Sequence, residues 1–385
     1  MMTARRAGTG MLLAAVLAGG CARPPLTEVA PVPATLKAAY QGAFLVGAAV
    51  NTNMVTERDS QAAAIVRAHF NSITAENALK WESIHPGPGV YAFEAADRYV
   101  AFAERNGMWP IGHVLVWHNQ TPRWVFEDAS GNPVGRDTLL ARMREHIHTV
   151  VGRYRGRVRG WDVVNEAVDE SGAMRRSPWQ RIIGDDYVAL AFRFAREADP
   201  DAELYYNDYS IENGPKRDGA VALIRRLLTE GVPVTGVGLQ GHYHLDWPTL
   251  AQEDTTILAF AALGVKVLVT ELDIDVLPRV TSQPGAEITF NAALRPELNP
   301  YTAGLPDSVQ QVVSRRWADL FGLFLRHRGT VTRVTLWGVT DRDSWKNNWP
   351  VRGRTNYPLL FDREGRPKPA LDAVIQAARQ AAPSP

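Results

Sequence analysis

The sequence contains one cysteine, Cys21, among 385 residues. A single thiol cannot form a disulfide within its own chain, so the folded state must be stabilised by a buried core and not by covalent cross-links. With 45% hydrophobic residues, the chain can bury such a core as one large domain or as two ordinary ones.

A strong net charge is also absent, because 42 basic residues are balanced by 41 acidic ones and leave a formal charge of +1. A protein without an overall field of one sign is not drawn to nucleic acid by long-range attraction, so we expect no nucleic-acid partner. Tryptophan, in contrast, is plentiful at 11 residues. Its flat apolar ring suits a protein that stacks aromatic side chains on flat ligand faces.

The apolar run at residues 11–17 is too short to cross a bilayer as an ordinary transmembrane helix. It follows Arg5 and Arg6 and precedes small residues, a pattern typical of an export signal. Cys21 comes next, as in bacterial lipoprotein signals, in which the cysteine thiol is acylated and becomes the new N-terminus. The leucine that such signals carry three residues before the cysteine is displaced by one here.

We therefore predict a signal segment with a lipoprotein-like cysteine over residues 1–21, a proline-rich tether over 22–39 and one folded domain over 40–380. An acylated Cys21 would anchor the protein to the outer membrane or leave it in the periplasm, and Ala22 after the cysteine favours the outer membrane. A plain secretory signal with an incidental cysteine is the alternative and would give a secreted protein. We expect no other membrane contact, and we expect a monomer.

From about residue 40 onward, short apolar runs alternate with helical patterns. Many of the runs are continuously apolar or β-branched, as parallel strands buried on both faces are. The predicted strands are residues 44–50, 70–75, 110–117, 158–165, 203–207, 235–241, 265–272 and 331–339. Helices are predicted between them, among others at 187–198, 220–228 and 250–263, and the last two end at a glycine.

Eight strand–helix units over about 340 residues predict a single-domain α/β fold, the (β/α)8 TIM barrel. A doubly wound open sheet is the alternative, but it would normally show a glycine-rich phosphate turn after an early strand, and none is present. Active sites in such barrels collect at the C-terminal ends of the strands. Here those ends carry groups that can bind or transform a polyol: Asn51, Glu76, Asn77, His113, Trp117, His118, Asn165, Glu166, Asn207, Asp208, Gln240, His242, Glu271, Asp273 and Trp337.

Two of these residues, Glu166 and Glu271, each end a short apolar run. Two carboxyl groups at one rim can hydrolyse a glycosidic bond, because one protonates the leaving oxygen while the other, ionised, attacks the anomeric carbon or activates water. A single strand-end glutamate is commonly a structural ion-pair partner. Two of them, one preceded by Asn165 and one followed by Leu272 and Asp273, favour catalysis.

The motifs at these strand ends resemble those of the glycoside hydrolase family 10 endo-β-1,4-xylanases. The matching segments are residues 74–81, 112–118, 161–166, 240–242, 270–273 and 336–341, and the resemblance extends from about residue 40 to about residue 378. It implies a (β/α)8 fold, cleavage of xylan or xylo-oligosaccharides with retention of configuration, and no metal ion or other cofactor. Ala78 and Leu79 depart from the family pattern, which has a larger residue and methionine there, and this concerns packing only.

For catalysis, the resemblance implies that Glu166 is the acid/base and Glu271 the nucleophile. Glu166 must keep its proton at about pH 6 to 7, so we expect low polarity and the charge of Glu271 to raise its pKa. His242, oriented by Asp273, would donate a hydrogen bond to Glu271 and stabilise its charge. Asn165 would bond the 2-hydroxyl of the sugar, a contact that tightens in the transition state.

The resemblance also implies a set of substrate-binding residues. The sugar next to the cleaved one, on the non-reducing side, would be held by Glu76, Asn77 and Lys80. The pocket of the cleaved sugar would be lined by His113, Trp117 and Gln240. Its ceiling would be formed by Trp337 and Trp345, since aromatic rings stack on the CH faces of sugars. The tryptophans expected in the core are Trp81, Trp161 and Trp317.

The connection after the seventh predicted strand, residues 276–306, is rich in proline and has no predicted helix or strand. A loop of this length is usually functional or disordered. Because it leaves from the catalytic rim, we expect it to wall the leaving-group side of the cleft. The next helix is predicted to begin at Asp307, with Gln310 as its capping-box partner.

Two other functions fit parts of the sequence. A retaining β-glucanase or mixed-specificity β-glycanase on the same barrel would need room for the C6 hydroxymethyl group that glucose has and xylose lacks. A non-catalytic, lipid-anchored sugar-binding protein is the alternative from another class. The presence of both glutamates argues against it, because binding alone needs neither.

Overall fold

The computed structural model of the chain describes residues 1–4, 8, 35–280 and 286–380. Its β-strands are β1 (Leu45–Val50), β2 (Ser72–Ala75), β3 (Trp109–Val116), β4 (Gly160–Asn165), β5 (Glu203–Asp208), β6 (Gly236–Leu239), β7 (His242–His244), β8 (Lys266–Asp275) and β9 (Val331–Leu336). Its α-helices are α1 (Leu36–Ala39), α2 (Thr52–Val55), α3 (Ser60–His69), α4 (Trp81–Ile84), α5 (Glu94–Arg105), α6 (Arg136–Arg153), α7 (Pro178–Ile183), α8 (Tyr187–Ala198), α9 (Gly214–Thr229), α10 (Leu250–Ala261), α11 (Asp307–Arg326) and α12 (Pro369–Gln380). None of the helices in these ranges is long and apolar enough to cross a membrane.

Eight of the strands close into a parallel barrel. Neighbours in sequence pair from β1 to β6, then β6 pairs with β8, β8 with β9, and β9 with β1. Strand β7 pairs with the outer end of β8 and continues the line of β6 after a break at Gln240 and Gly241. The predicted (β/α)8 barrel is therefore confirmed, and the doubly wound sheet is wrong because the sheet has no open edge between β6 and β8.

The strands are buried along nearly their whole length, which explains their continuous apolar runs. Helix α8 has the predicted bounds, and its apolar residues Val188, Ala191, Phe192 and Ala195 are buried on the side that contacts β4 and β5. Helices of this kind cover the outside of the barrel, so the polar strand ends remain at the rim.

The predicted start of the folded domain changes. Leu36 in α1 is fully buried, and the Tyr40 hydroxyl donates to the carbonyl of Val374 over 2.7 Å. Residues 35–39 therefore belong to the folded domain and not to the tether, because their apolar side chains pack into it. The rest of the predicted tether and nearly all of the signal segment, Cys21 included, lie outside the described residues.

Helix α11 begins at Asp307 as predicted, but the predicted capping box is wrong. Its N-cap is Pro306, which has no side-chain acceptor, and Gln310 instead donates to the carbonyl of Leu305 at 3.4 Å. A capping box is present at α10, where Thr249 and Gln252 bond each other's backbone N–H groups. A box requires a hydroxyl or carboxyl side chain at the N-cap, which proline cannot supply.

The predicted core tryptophans Trp81, Trp161 and Trp317 are at most 2% exposed. Trp161 on β4 lies directly beside Gly112 on β3, in register with it. A Cβ atom on Gly112 would lie 2.0 Å from the Trp161 ring. This close contact fixes the packing of β3 against β4, and both strands end in residues of the rim.

We expect Gly112→Ala to lower the free energy of unfolding by about 3 kcal/mol or more, because the methyl group overpacks against a ring that cannot move away. Gly152→Ala is the matched control. Gly152 lies in α6, and an added methyl group there would meet no atom within 4 Å, so alanine should raise stability by about 0.4–1 kcal/mol. Urea unfolding followed by fluorescence measures both. Equal stability of the two variants would contradict the packing argument.

Candidate active site

The C-terminal ends of the strands border one cleft. The predicted catalytic and substrate-binding residues that line it are Glu76, Asn77, Lys80, His113, Trp117, Asn165, Glu166, Gln240, His242, Glu271, Trp337 and Trp345. Asp273 does not line the cleft and lies behind His242. Three further lining residues, Gln120, Ala286 and Ile288, were not among the predicted site residues.

Glu166 follows the last residue of β4 and is 4% exposed. Its Oε2 accepts a hydrogen bond from Trp117 Nε1 at 2.8 Å, and its Oε1 accepts from Asn165 Nδ2 and Gln240 Nε2, both at 3.0 Å. The backbone φ of Glu166 is +57°, in the left-handed region that residues with a side chain seldom adopt. The carboxyl group is thus held in one orientation on a strained strand end.

Burial raises the pKa of Glu166 to about 7, and the negative charge of Asp208 adds to the rise. The hydrogen bonds from Gln240 and Trp117 oppose it, because they favour the charged form. The expected direction is therefore present, but the partner differs from the predicted one. Asp208, and not Glu271, is the acidic neighbour that raises this pKa.

Glu271 lies in the middle of β8 and is also 4% exposed. Burial would raise its pKa, but the hydrogen bond from His242, the charges of His113 and His242, and the hydrogen bond from Asn207 together lower it below the ordinary value. The closest of these donors is Asn207 Nδ2, at 2.7 Å from Oε1. The neighbours of two equally buried glutamates therefore shift their pKa values in opposite directions.

His242 connects Glu271 to Asp273. Its Nε2 lies 3.3 Å from Glu271 Oε2, and its Nδ1 lies 3.1 Å from Asp273 Oδ2. Burial alone would lower the pKa of His242, but the charge and hydrogen bond of Asp273 and the contact with Glu271 raise it. Asp273 also accepts from Trp345 Nε1 at 2.7 Å. His242 therefore lies between Glu271 and Asp273, and the orienting role of Asp273 stays a prediction.

Asn207, at the end of β5, joins the two halves of the site. One hydrogen of its Nδ2 bonds Asn165 Oδ1 at 2.9 Å and the other bonds Glu271, while its Oδ1 accepts from Thr270 Oγ1 at 2.6 Å. The side chain is fully buried, and its position after the fifth strand was the only sequence signal for it. Asn165 donates one amide hydrogen to Glu166, so its second hydrogen remains for a ligand.

Lys80, Asn77 and Glu76 lie together beyond the end of β2. Lys80 Nζ donates to Asn77 Oδ1 at 3.0 Å and to Gln120 Oε1 at 2.7 Å. Burial lowers the pKa of Lys80, and the charges of Glu271 and Glu76 oppose that change. Lys80 therefore lies within reach of the charge of Glu271 as well as of the polar side chains of Asn77 and Gln120.

Aromatic rings close another side of the cleft. Trp337 lies edge-on to His113, with ring centroids 5.2 Å apart, and His113 Nδ1 lies 2.9 Å from Asp162 Oδ2. Trp345 is tilted against His242 at 4.7 Å and stacks on Trp349 at the same distance. Because Trp345 is fixed by its bond to Asp273 and by Trp349, its orientation at the cleft is set by the protein before a ligand binds.

The long connection after β8 reaches the cleft with Ala286 and Ile288. Glu287 between them lies 3.2 Å from Arg175 Nη1 and 4.0 Å from His118 Nε2. The expectation that this connection contributes to the cleft wall therefore agrees with the structure in its described part, residues 276–280 and 286–306. Which sugar it faces stays a prediction.

His118 was noted in the sequence but given no role. Its Nε2 lies 4.0 Å from Glu166 Oε2, and burial, with the charge of Arg175, lowers its pKa to about 4. The ring is therefore neutral at neutral pH and adds no positive charge beside Glu166. Across residues 35–280 and 286–380, His, Cys, Asp and Glu form no group of three or more with the geometry of a metal site.

The opposite pKa shifts can be measured directly. In protein labelled with carboxyl-13C glutamate, Glu166 should titrate near pH 7 and Glu271 below about 4.5, with Glu166→Gln and Glu271→Gln assigning the two signals. Trp117→Phe should raise the pKa of Glu166 further, because it removes a hydrogen bond to the charged form while keeping a ring in place. Two signals that both titrate near pH 4 would contradict the assigned environments.

Comparison with known proteins agrees with this site. Residues 35–377 match Glycosyl hydrolase family 10. Endo-1,4-β-xylanase A of Xylanibacter ruminicola is 44% identical over 352 residues, covering 91% of this chain and 95% of that protein. Endo-1,4-β-xylanase B of Paenibacillus barcinonensis is 43% identical, covering 89% and 97%. A solved family 10 endoxylanase retrieved from a sugarcane soil metagenome superposes with a TM-score of 0.87 at 44% identity, covering 89% of this chain and 99% of that one. The chain therefore belongs to glycosyl hydrolase family 10 and is a glycoside hydrolase.

Proposed function

We propose that the protein is an endo-1,4-β-xylanase that hydrolyses internal β-1,4-xylosidic bonds by double displacement, with retention of configuration. The observation that carries this proposal is the pair of buried glutamates at one rim with opposite pKa shifts, Glu166 raised to about 7 and Glu271 lowered. The xylanase names of the relatives support the choice of substrate.

In the first step, the Glu271 carboxylate attacks the anomeric carbon while Glu166 gives its proton to the leaving oxygen. His242 and Asn207 hold Glu271 as an anion aimed at the cleft. Trp117 and Gln240 keep the Glu166 carboxyl oriented and stabilise the anion left after proton transfer. The bond to the leaving sugar breaks, and a xylosyl ester of Glu271 remains.

In the second step, Glu166, now a carboxylate, takes a proton from water as that water attacks the same carbon from the other side. The ester bond breaks, Glu271 returns as a carboxylate, and Glu166 recovers its proton. Because Glu166 must be protonated for the first step, we expect the rate to fall as pH rises above about 7, the pKa of this group. Retention requires carboxyl groups about 5–5.5 Å apart, so that no water fits between Glu271 and the sugar.

The substrate is tested by reducing-sugar release from xylan, β-glucan and mannan in parallel, with sizing of early products. Xylan should be cleaved fastest, and early products should be long, as random internal cleavage requires. Dominant β-glucan cleavage would favour the mixed-specificity glycanase, and release of xylose alone would exclude endo action. Binding of xylan without any cleavage would favour the non-catalytic alternative.

The two glutamates can be separated by their leaving-group dependence. We expect Glu271→Ala to abolish both chemical steps on every substrate. Glu166→Ala should slow xylan hydrolysis by about 10²–10⁴-fold, the usual contribution of general acid–base catalysis. It should spare the first step on aryl xylobiosides with acidic phenols, which leave without a proton. Pre-steady-state release of the phenol measures this, and equal losses in both variants would make the role assignment wrong.

We propose that Lys80, with Asn77 and Glu76, binds the sugar next to the cleaved one on the non-reducing side. Binding energy from this remote sugar can lower the barrier at the reacting bond. Lys80→Ala should therefore raise the activation free energy that corresponds to kcat/KM for short xylo-oligosaccharides by about 1.5–3 kcal/mol, the range for a charged hydrogen bond. The effect on long xylan should be smaller.

Gln120→Ala is the control, because Gln120 holds Lys80 at 2.7 Å and presents no charge; its effect should be smaller. Aryl monoxylosides do not occupy this second sugar site and should react normally in Lys80→Ala. An equal loss on aryl monoxylosides would mean that Lys80 acts on Glu271, whose charge it faces.

We further propose that the protein is exported and carries a lipid on Cys21 that anchors it to the outer membrane. The support is the sequence pattern alone: the basic start, the apolar run at 11–17 and the single cysteine after it. Cys21→Ser should release the enzyme from the membrane fraction or leave its signal uncleaved, with unchanged kcat on soluble xylan. If processing and membrane fractionation were unchanged in Cys21→Ser, the segment would be an ordinary secretory signal. Gel filtration of the soluble form checks the expected monomer.

A further inference from the structure

An ion pair that the proposed mechanism does not use is buried behind the active site. Asp208, the last residue of β5, and Lys216, in the first turn of α9, are both 0% exposed, with Asp208 Oδ1 and Lys216 Nζ 3.0 Å apart. Lys216 Nζ also lies 3.3 Å from the centre of the Tyr209 ring. Removing two charges from water is costly, so such a pair is retained only where its geometry is well satisfied.

The pattern of bonds around Asp208 is that of a carboxylate. Its Oδ1 accepts from the Tyr209 backbone N–H at 2.9 Å and lies 3.0 Å from the Lys216 ammonium, and its Oδ2 accepts from the Tyr206 hydroxyl. Each contact places a donor against an oxygen, and an ionised carboxylate is an acceptor only. Burial raises the pKa of Asp208, while Lys216 and Tyr206 oppose the rise.

Tyr206 connects this pair to the catalytic acid. Its hydroxyl donates to Asp208 and accepts from the backbone N–H of Ala167 at 3.1 Å. Ala167 is the residue after Glu166. Since side chains alternate along a strand, Tyr206 and Asp208 lie on the face of β5 opposite Asn207, which contacts Glu271. One strand therefore supports the nucleophile on one face and the acid/base on the other.

The peptide groups on both sides of Glu166 are held by hydrogen bonds. The Glu166 N–H donates to the carbonyl of Asn207 at 2.9 Å, and its own carbonyl accepts from Arg175 Nε at 3.0 Å. The following N–H, that of Ala167, donates its hydrogen bond to the Tyr206 hydroxyl. A left-handed backbone persists at a non-glycine residue only where surrounding contacts determine it. Loss of the Tyr206 contact would free one side of the strained residue.

We propose that Asp208, Lys216 and Tyr206 form a positioning unit that fixes the backbone and the protonation of Glu166 without touching the substrate. This inference rests on the proposed role of Glu166 as the acid/base. The unit acts through two routes, the hydrogen bond from Ala167 to Tyr206 and the field of the Asp208 carboxylate. The second route agrees with the direction of the Glu166 pKa, which the charge of Asp208 raises and the charge of Lys216 lowers.

Other charged and titratable groups lie near the same two carboxyl groups. Arg175 and Glu170 come from the connection after β4, Tyr187 from α8, Glu212 from the connection after β5, and His118 from the connection after β3. These groups remain in each variant below, so a change in the pH profile reports the substituted residue.

Asp208→Asn tests the electrostatic effect of the Asp208 carboxylate on Glu166. The pKa of the basic limb of the kcat/KM profile, which reports the protonated Glu166 of the free enzyme, should fall by a few tenths to about one pH unit, because a negative charge is removed. The double variant Asp208→Asn with Lys216→Met should show a fall in the same direction. It leaves no buried lysine without a partner, so it provides the measurement where the single variant does not fold.

Tyr206→Phe tests the backbone route, because it removes one hydroxyl and no charge. Its kcat/KM on xylotetraose, whose leaving sugar needs a proton, should fall roughly 10- to 100-fold, a part of the contribution of a general acid. The phenol burst with 2,4-dinitrophenyl β-xylobioside, which needs no proton, should change less than about 3-fold. A general loss of structure would reduce both rates alike.

Asp341→Asn is the matched control. Asp341 and Lys368 form another buried lysine–aspartate pair, 2.9 Å apart, whose other side-chain hydrogen bonds go to the backbone of Leu359 and Tyr357. This variant should lower the temperature of unfolding and leave the basic limb and the ratio of the two substrates unchanged.

An unmoved basic limb in Asp208→Asn and its double variant, together with equal losses on both substrates in Tyr206→Phe, would overturn the proposal. Inactivity of the wild-type protein on xylan would instead contradict the proposed function. In that case 13C titration of Glu166 in Asp208→Asn still decides the inference, since a lower pKa than in the wild type supports it and an equal pKa overturns it.

Discussion

Burial of two carboxyl groups at one rim is the physical constraint on which this active site depends. Removal from water favours the neutral form of a carboxyl group, so without further contacts both Glu166 and Glu271 would be protonated near neutral pH. Hydrogen bonds from Asn207 and His242, together with the charges of His242 and His113, reverse this for Glu271, while Glu166 accepts its three hydrogen bonds from uncharged donors and lies near the negative charge of Asp208. A pair of identical side chains thereby acquires opposite pKa shifts.

The barrel makes this division possible because neighbouring strands deliver side chains of known direction to one place. Asn165 is the last residue of β4 and Glu166 follows it, Asn207 precedes the last residue of β5, and Glu271 lies on β8. The amide of Asn207 uses both of its hydrogens to bridge Asn165 and Glu271. The rim is therefore a continuous hydrogen-bonded layer, in which a shift of one strand would disturb both glutamates.

A second layer lies behind the first, between β5 and the helices. It contains charged and phenolic side chains that a minimal hydrolytic site would not need, and Asp208 and Lys216 are buried as deeply as the apolar core. Arg175 links this layer to the loop after β8, because it contacts Glu287 as well as the Glu166 carbonyl. The strained backbone at Glu166 is thus supported from the strand, from a neighbouring connection and from the cleft wall.

The sequence alone predicted the barrel, its eight strands and the two glutamates, because apolar runs of strand length alternate with helical periods and parallel strand ends must meet at one rim. The family resemblance added the expected roles of His242, Asp273 and Lys80; the structure places His242 between Glu271 and Asp273 and places Lys80 at the cleft, and the roles stay predictions. The sequence pattern failed at the α11 cap and at residues 35–39, where local composition resembles a linker but packing against the domain orders the chain.

The tertiary structure alone decided which charges act on Glu166. Asp208 was visible in the sequence as a strand-end residue, but its orientation away from the cleft depends on the alternation along β5 and on a lysine from α9. Electrostatic effects depend on distance and burial, and neither can be obtained from positions along a chain. The bridging role of Asn207 was hidden for the same reason, since its partners on β4 and β8 are 42 and 64 residues away in sequence.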